Sequence, residues 1–135
     1  MTAIDTNILV YAFDEAYPEK RKRAKQIVTE IFQGKRKVFI TNQILAEFAS
    51  VITKKIEKPV SKESAEIIIG AILSSENWKI QDYTGETILS ALKSSKPFWD
   101  ALIIETLKEA KVTKIITEDE KGFSSELEIE NPFKA

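Results

Sequence analysis

Short apolar segments alternate with longer helical segments along the chain, and this alternation restricts the possible folds more than any other feature. The apolar segments rich in strand-forming residues cover 2–5, 37–41, 77–81, 112–117 and part of 127–133. Helical segments cover 18–33, 43–55, 62–75, 84–95 and 98–110, and the apolar "ILVYAF" at 8–13 is a buried turn or helix. Strands joined through helices need crossover connections, which predict a mainly parallel sheet covered on both faces. We therefore expect a three-layer α/β/α sandwich, formed as a single domain by residues 1–135.

Local signals mark where several of these helices begin and end. In the segment 18–33 the apolar residues recur at spacings of three and four, at Ala24, Ile27, Val28 and Ile31. Gly34 follows directly and is expected to end that helix. Thr41 or Asn42 can cap the helix after the second strand, and Ser61 can cap the next one.

The composition excludes several kinds of chemistry. The chain has no cysteine and no histidine, which rules out disulfides, thiolate nucleophiles, metal sites built on Cys or His, and any Ser-His-Asp arrangement. Lys and Arg number 20 against 21 Asp and Glu, so the net charge of -1 does not indicate a general polyanion binder. Any reaction must depend on carboxylates, hydroxyls, amides, lysines or metal-activated water.

Neither a secretion signal nor a membrane segment is indicated by the sequence. The N-terminus has an acid at position 5 and no basic region before its apolar run. The longest apolar run, "IIIGAIL" at 67–73, is far shorter than the roughly 20 residues needed to cross a bilayer. We expect a cytoplasmic protein.

Three acidic residues, Asp5, Glu47 and Asp119, occupy positions where a functional or an ordinary structural role is possible. Asp5 ends the first apolar run and could simply cap a helix or form an Asx turn. Glu47 lies at the edge of the apolar stripe of its helix, where a glutamate commonly extends to water. Asp119 follows the strand segment "KIIT", where a turn aspartate is common. Taken singly, each is explained better by an ordinary structural role than by function.

Asp100, in "KPFWDALIIE", is harder to explain as a packing residue. Ile103, Ile104 and Leu107 lie three, four and seven positions later, so Asp100 falls near the middle of their apolar stripe. A position in the first helical turn stabilises its charge by about 0.3–1 kcal/mol. An unpaired buried carboxylate costs several kcal/mol, so the sequence predicts a partner cation for Asp100.

The four acids are predicted to meet at the carboxyl edge of the sheet, where open parallel sheets bind ligands. Converging carboxylates repel one another unless a divalent cation neutralises them. Oxygen-only ligands favour Mg²⁺ or Mn²⁺, and such ions promote hydrolysis of phosphodiesters.

Five motifs together resemble the PIN-domain family, and most closely the toxin subunits of VapBC toxin–antitoxin modules. They are "IDTNILVYAFD", "AEF", "FWDALIIETLKEA", "IITEDEKGF" and the tail "IENPF". The resemblance implies a Mg²⁺- or Mn²⁺-dependent endoribonuclease. By motif it assigns the metal-binding and catalytic roles to Asp5, Glu47, Asp100 and Asp119. Asn7 and Thr117 would support that site, and Glu118 is an alternative or additional acid.

One departure from the family pattern affects the fourth acid. Glu120 follows Asp119 directly, where such toxins usually have a hydrophobic residue.

The same resemblance implies an RNA substrate, a cognate antitoxin protein and a homodimer. The basic segments 19–25 and 34–37 are candidate phosphate contacts, although a charged helix face is usually only solvated. Trp99 and Phe98 could stack on a base, but core packing is the favoured interpretation of both.

Two other functions are compatible with the pattern. A PIN-like module could bind RNA or protein without catalysis, in which case loss of an acid would be expected. A receiver-like phosphoryl-transfer domain also places aspartates at the end of a parallel sheet. That class should have paired acids near its first strand and a lysine after the last, whereas here "DTN" supplies one acid and the last strand runs into "TED".

Overall fold

A five-stranded sheet lies at the centre of the protein, whose computed structural model describes residues 1–134. All four neighbouring strand pairs in this sheet are parallel. The strands are β1 (Thr2–Ile4), β2 (Val38–Thr41), β3 (Trp78–Gln81), β4 (Lys114–Ile116) and β5 (Glu128–Glu130). Each strand falls inside the segment predicted for it, and the prediction of a parallel sheet is confirmed.

The strand order β3-β2-β1-β4-β5 reverses its direction of winding between β1 and β4. Ala3 at the middle of β1 pairs with Phe39 of β2 on one side and with Ile115 of β4 on the other. In open parallel sheets a crevice forms outside the carboxyl ends of the strands at such a reversal. The fold therefore places its natural binding site just after Ile4 and Ile116.

Helices cover both faces of the sheet. They are α1 (Thr6–Tyr11), α2 (Pro18–Phe32), α3 (Asn42–Lys54), α4 (Lys62–Ser74), α5 (Gly85–Leu92), α6 (Phe98–Glu109) and α7 (Glu120–Phe123). Contacts join α1 to α2 and α3, and α3 to α4, whereas α6 contacts α5 and α7. These two groups form the outer layers, so the predicted α/β/α sandwich is confirmed. Within residues 1–134, no helix combines the length and the apolar character needed to cross a membrane.

The helix boundaries follow the local signals in the sequence. Gly34 has a φ of 81°, a left-handed conformation that glycine adopts without strain, and α2 ends two residues before it. Thr41, rather than Asn42, caps α3 by accepting a hydrogen bond from the Ile44 N–H at 3.0 Å. Ser61 caps α4, as predicted.

The short helix α7 is the one element that the sequence pattern did not predict. Its four residues span about one turn, which is too short to show apolar periodicity. Asp119 caps it by accepting a hydrogen bond from the Gly122 N–H at 3.2 Å. The loop after β4 thus holds Asp119 at a helix start.

The apolar core packs against both faces of the central strands. Ile4, Ile40 and Ile116 of β1, β2 and β4 are completely buried, as is Phe48 of α3. The carboxyl ends of these strands are therefore supported by a packed interior.

Candidate active site

The four acids selected from the sequence line one cavity of about 460 Å³, which we call the acidic cavity. Asp5 directly follows β1, and Asp119 lies in the loop after β4. Glu47 reaches the cavity from α3, and Asp100 from the first turn of α6. The predicted convergence at the carboxyl edge of the sheet is present in the structure.

Asp5 is the most buried of these acids, with 7% of its surface exposed. Its Oδ1 accepts a hydrogen bond from the Thr6 N–H at 2.7 Å, and its Oδ2 accepts one from the Thr117 hydroxyl at 2.7 Å. Burial raises the pKa of Asp5 to about 6, against the lowering effect of those hydrogen bonds, and Asp119 and Glu47 raise it further. Asp5 is therefore both the cap of α1 and a proton-binding group of the cavity.

The Thr117 hydroxyl connects the loops that follow β1 and β4. Besides donating to Asp5, its oxygen accepts hydrogen bonds from the Asp119 N–H at 2.9 Å and from Asn7 Nδ2 at 3.3 Å. Asn7 Oδ1 in turn accepts one from the Glu118 N–H at 3.4 Å. The two residues expected to support the site thus contact its acids or the backbone beside them.

Glu47 is held by two residues that the sequence analysis did not select. The Thr6 hydroxyl donates to Glu47 Oε2 at 3.2 Å, and Gln43 Nε2 donates to Glu47 Oε1 at 3.0 Å. Thr6 therefore links Asp5 to Glu47, because its N–H binds one and its hydroxyl the other. The contact between Gln43 and Glu47 could have been predicted from the sequence, because residues four apart are neighbours on a helix. The contact between Thr6 and Glu47 joins residues 41 positions apart, and no local pattern indicates it.

Asp100 is half-buried, so it is less buried than its place on the apolar stripe predicts. Ile103, Ile104 and Leu107 are buried as predicted, but α6 begins at Phe98, and its first turn borders the acidic cavity instead of the core. Partial burial and then the nearby Asp119 raise the pKa of Asp100, while Lys96 lowers it. The open cavity and Lys96 therefore reduce the free-energy cost of the Asp100 charge, which the sequence predicted a bound cation to offset.

Trp99 is 63% exposed, which contradicts the expectation that it packs in the core. It lies in the first turn of α6, which borders the acidic cavity, and contacts Phe98 edge-to-face, with ring centroids 5.2 Å apart. Phe98 does pack as expected, against the small cluster of Ala101 and Leu102.

Only one of the three consecutive acids after β4 lines the acidic cavity. Asp119 does so, and it is exposed. Glu118 is bound instead by the Tyr11 hydroxyl at 2.6 Å and by the Lys20 ammonium. Burial alone would raise the pKa of Glu118, but these two partners together hold it below its usual range. Glu120 pairs with Lys134 at 2.7 Å, so its position after Asp119 does not place a further charge in the cavity.

A close approach at Gly122 explains the "EKGF" sequence. A Cβ atom at position 122 would lie 2.6 Å from Asp119 Oδ2, which is closer than real Cβ contacts. Glycine therefore leaves room for the Asp119 carboxylate in its present position.

Two of the basic side chains proposed as phosphate contacts are already engaged within the protein. Lys20 pairs with Glu118, and Arg36 pairs with Glu130 through two hydrogen bonds of 3.0 and 3.1 Å. These pairs favour a structural interpretation of Lys20 and Arg36.

Comparison with known proteins matches residues 2–125 to the PIN domain family model. The chain belongs to the PIN domain family. Similar solved structures include VapC20 of Mycobacterium tuberculosis, described as a toxin that cleaves the sarcin-ricin loop, with 13% identity and a TM-score of 0.67 over 93% of this chain and 95% of that one. VapBC2 of Rickettsia felis bound to a promoter DNA fragment has 18% identity and a TM-score of 0.61 over 96% and 97%. FitAB bound to the IR36 DNA fragment has 15% identity and a TM-score of 0.58 over 100% and 97%. Curated protein sequences gave no significant match.

The carboxylate oxygens that line the acidic cavity of this PIN domain are the type of ligand that a hard divalent cation prefers. The acidic cavity is lined by five carboxylates, the four above and Asp14, and by no Lys or Arg among residues 1–134. Asp14 was not selected from the sequence, and its Oδ1 is bound to the Ala16 N–H at 3.0 Å. In their present positions, no three acidic side chains among residues 1–134 are arranged to hold one ion. Binding of a divalent cation would therefore require these side chains to move closer together.

Proposed function

We propose that this PIN domain is a Mg²⁺- or Mn²⁺-dependent endoribonuclease that acts as the toxin of a toxin–antitoxin pair. One observation carries the proposal: four carboxylates from separate elements line a single cavity at the winding reversal of the sheet, and no basic side chain described in the structure lines it. A bound divalent cation would supply the Lewis acid that polarises a phosphate and acidifies water.

Each residue of the site has a distinct part in this proposal. The cation would be held by Asp5, Glu47, Asp100 and Asp119. An ion that enters from solvent would meet the exposed or half-buried carboxylates before the buried Asp5. The Thr6 N–H and the Thr117 hydroxyl direct the two oxygens of Asp5, so that this carboxylate keeps one orientation in the cavity. Asn7 supports Thr117 from the start of α1. Glu118 belongs to the pair with Lys20 and is not proposed as a ligand.

The partners follow from the same proposal. VapC20 is described as a toxin that cleaves the sarcin-ricin loop, and VapBC2 and FitAB are described in complexes with DNA. By analogy we assign this chain an RNA substrate and a small protein antitoxin, and we propose a homodimer. Light scattering of the purified protein, alone and with the product of the adjacent reading frame, measures both associations.

The test of activity is cleavage of a closed circular RNA pool with Mn²⁺ or Mg²⁺, with and without EDTA. An endonuclease linearises circles, whereas an exonuclease cannot. Asp5→Asn and Asp100→Asn should lower turnover at least a hundredfold, since each removes a charge from the site. Glu57→Gln changes an exposed acid in the loop after α3 and serves as the matched control. Equal cleavage by all four proteins, or cleavage that persists in EDTA, would contradict the proposal.

A non-catalytic binding module is the second candidate, and one observation favours it. The acids of residues 1–134 are not arranged to hold an ion in the present side-chain positions. This candidate predicts that RNA or the antitoxin binds without metal-dependent turnover.

A further inference from the structure

A second cavity of about 530 Å³ adjoins the acidic cavity, and we call it the side cavity. It is lined by Asn42, Gln43, Ala46, Glu47, Tyr83 and Trp99. Gln43, Glu47 and Trp99 also line the acidic cavity, so the two spaces lie side by side at those residues. A molecule that extends from one cavity into the other would pass beside Glu47.

Two aromatic side chains provide flat apolar surface in the side cavity. Trp99 is 63% exposed although Ala101, Leu102 and Ile103 of the same helix are buried. Tyr83, from the loop before α5, is half-buried and supplies the second ring. Exposed aromatic rings beside a phosphodiesterase site are suited to stacking on a nucleobase.

The polar groups of the side cavity include an acceptor that has no partner. Gln43 Nε2 donates to Glu47 Oε1 at 3.0 Å and to the Trp99 carbonyl oxygen at 3.2 Å. Both partners are acceptors, so the amide orientation is determined by chemistry. Gln43 Oε1 then points elsewhere, buried and without a hydrogen-bond partner among the described residues. This unpaired acceptor is costly and has almost no exposed surface, so a ligand donor would remove that cost only after the Gln43 side chain turns its oxygen toward the cavity.

Asn42 offers the complementary group. Its Oδ1 accepts the Tyr83 N–H at 3.1 Å, which leaves the amide nitrogen as the donor for a ligand. One acceptor and one donor beside two aromatic rings match the edge and face of a nucleobase. A base inside a duplex exposes neither its face nor its pairing edge, so the matching ligand is unpaired.

We propose that the side cavity binds an unpaired nucleobase of the RNA strand, next to the phosphate that enters the acidic cavity. This inference rests on the proposed nuclease function and adds to it a second contact site for the substrate, in which a base beside the cleavage point is bound. The Trp99 ring stacks on the base, and the Asn42 and Gln43 amides contact its edge.

The test compares a short single-stranded RNA with an abasic strand of equal length. Both strands carry the same phosphates, so their difference in affinity isolates the contribution of the bases. In EDTA, where cleavage is absent, the native protein should bind the base-bearing strand about 5- to 150-fold more tightly than the abasic one, with quenching of tryptophan fluorescence. Trp99→Ala should lose most of this preference, and Trp99→Phe should keep most of it.

Ile67→Ala is the matched control, because Ile67 is 70% exposed and lines neither cavity. Its preference for the base-bearing strand should equal that of the native protein. If Trp99→Ala retains the native preference, the side cavity does not bind the base and the proposal is overturned. The same conclusion follows if Trp99→Ala weakens only the binding of the antitoxin, since the surface then belongs to a protein partner.

Failure of this proposal can be separated from failure of the nuclease assignment. Metal-dependent cleavage with no effect of Trp99→Ala on binding or turnover overturns the base site alone. A base preference that depends on Trp99, without any cleavage, overturns the nuclease assignment and leaves a single-strand RNA-binding site.

Discussion

Replacing Asp5 by Asn should stabilise the metal-free protein at neutral pH. The pKa of Asp5 is about 6 in the folded protein, against 3.8 for an ordinary aspartate, and the side chain is almost fully buried. A difference of about 2 pKa units corresponds to roughly 3 kcal/mol, at 1.36 kcal/mol for each unit. Because the folded pKa is raised, Asp5 costs no stability below about pH 4, and the cost is complete once the pH has risen past about 6.

The Asn side chain should retain one of the two hydrogen bonds of Asp5. Its oxygen can accept from the Thr6 N–H, whereas its amide nitrogen would face the Thr117 hydroxyl oxygen, which already accepts from the Asp119 N–H and Asn7 Nδ2. The lost hydrogen bond offsets about 1 kcal/mol, so the expected gain in the free energy of unfolding at pH 8 is about 1–2 kcal/mol. Between pH 5 and pH 8 the difference between variant and native protein should grow by about 1.5 kcal/mol, since the unfolded carboxyl is already ionised at pH 5 and the folded one is not.

Urea unfolding in EDTA at several pH values measures this difference. Glu57→Gln, an exposed acid outside the site, should show little change at any pH. Addition of Mn²⁺ should stabilise the native protein more than Asp5→Asn, because an ion that binds only the folded state raises its stability. An Asp5→Asn protein that is less stable than the native one at pH 8, or a difference independent of pH, would refute the reasoning.

Three smaller predictions concern neighbouring residues. Asp100→Asn should also raise the melting temperature in EDTA, by less than Asp5→Asn because Asp100 is only half-buried, and a drop of several degrees would show a structural role instead. Thr117→Val removes the hydroxyl that lowers the pKa of Asp5, so carbon-detected NMR titration should find that pKa further raised, with a loss of about 1–2 kcal/mol in unfolding free energy. Gly122→Ala should displace the Asp119 carboxylate and reduce metal-dependent turnover, while stability changes by about 1 kcal/mol or less; unchanged turnover would show that the position of Asp119 does not matter.

The order and type of the main elements could be predicted because they depend on local patterns. Thr41 and Ser61 cap their helices through bonds to backbone N–H groups three residues away, and such contacts can be identified from the chain alone. The apolar stripe of Ile103, Ile104 and Leu107 likewise packs as its spacing indicates. The helix α7 was missed, since one turn carries no period.

Contacts between distant residues could not be predicted in the same way. The hydrogen bond from Thr6 to Glu47 and the pairing of Glu118 with Lys20 join positions 41 and 98 residues apart. Burial at the end of a helix was also misjudged, because a helical wheel gives the direction of Asp100 and Trp99 but not where the core ends. Both side chains lie where α6 emerges beside the cavities, and this depends on how the whole helix is placed on the sheet.

The sequence by itself determined the chemistry that is open to this protein. Without His or Cys, only its carboxylates can supply a metal site, and alternating strands and helices bring them to the carboxyl edge of a parallel sheet. The tertiary structure decided which of those acids share a cavity, that Asp5 is buried deeply enough to hold a proton near neutral pH, and that Trp99 faces solvent beside them. Burial and electrostatic coupling depend on the distances between segments far apart in the chain, and local pattern carries no information about those distances.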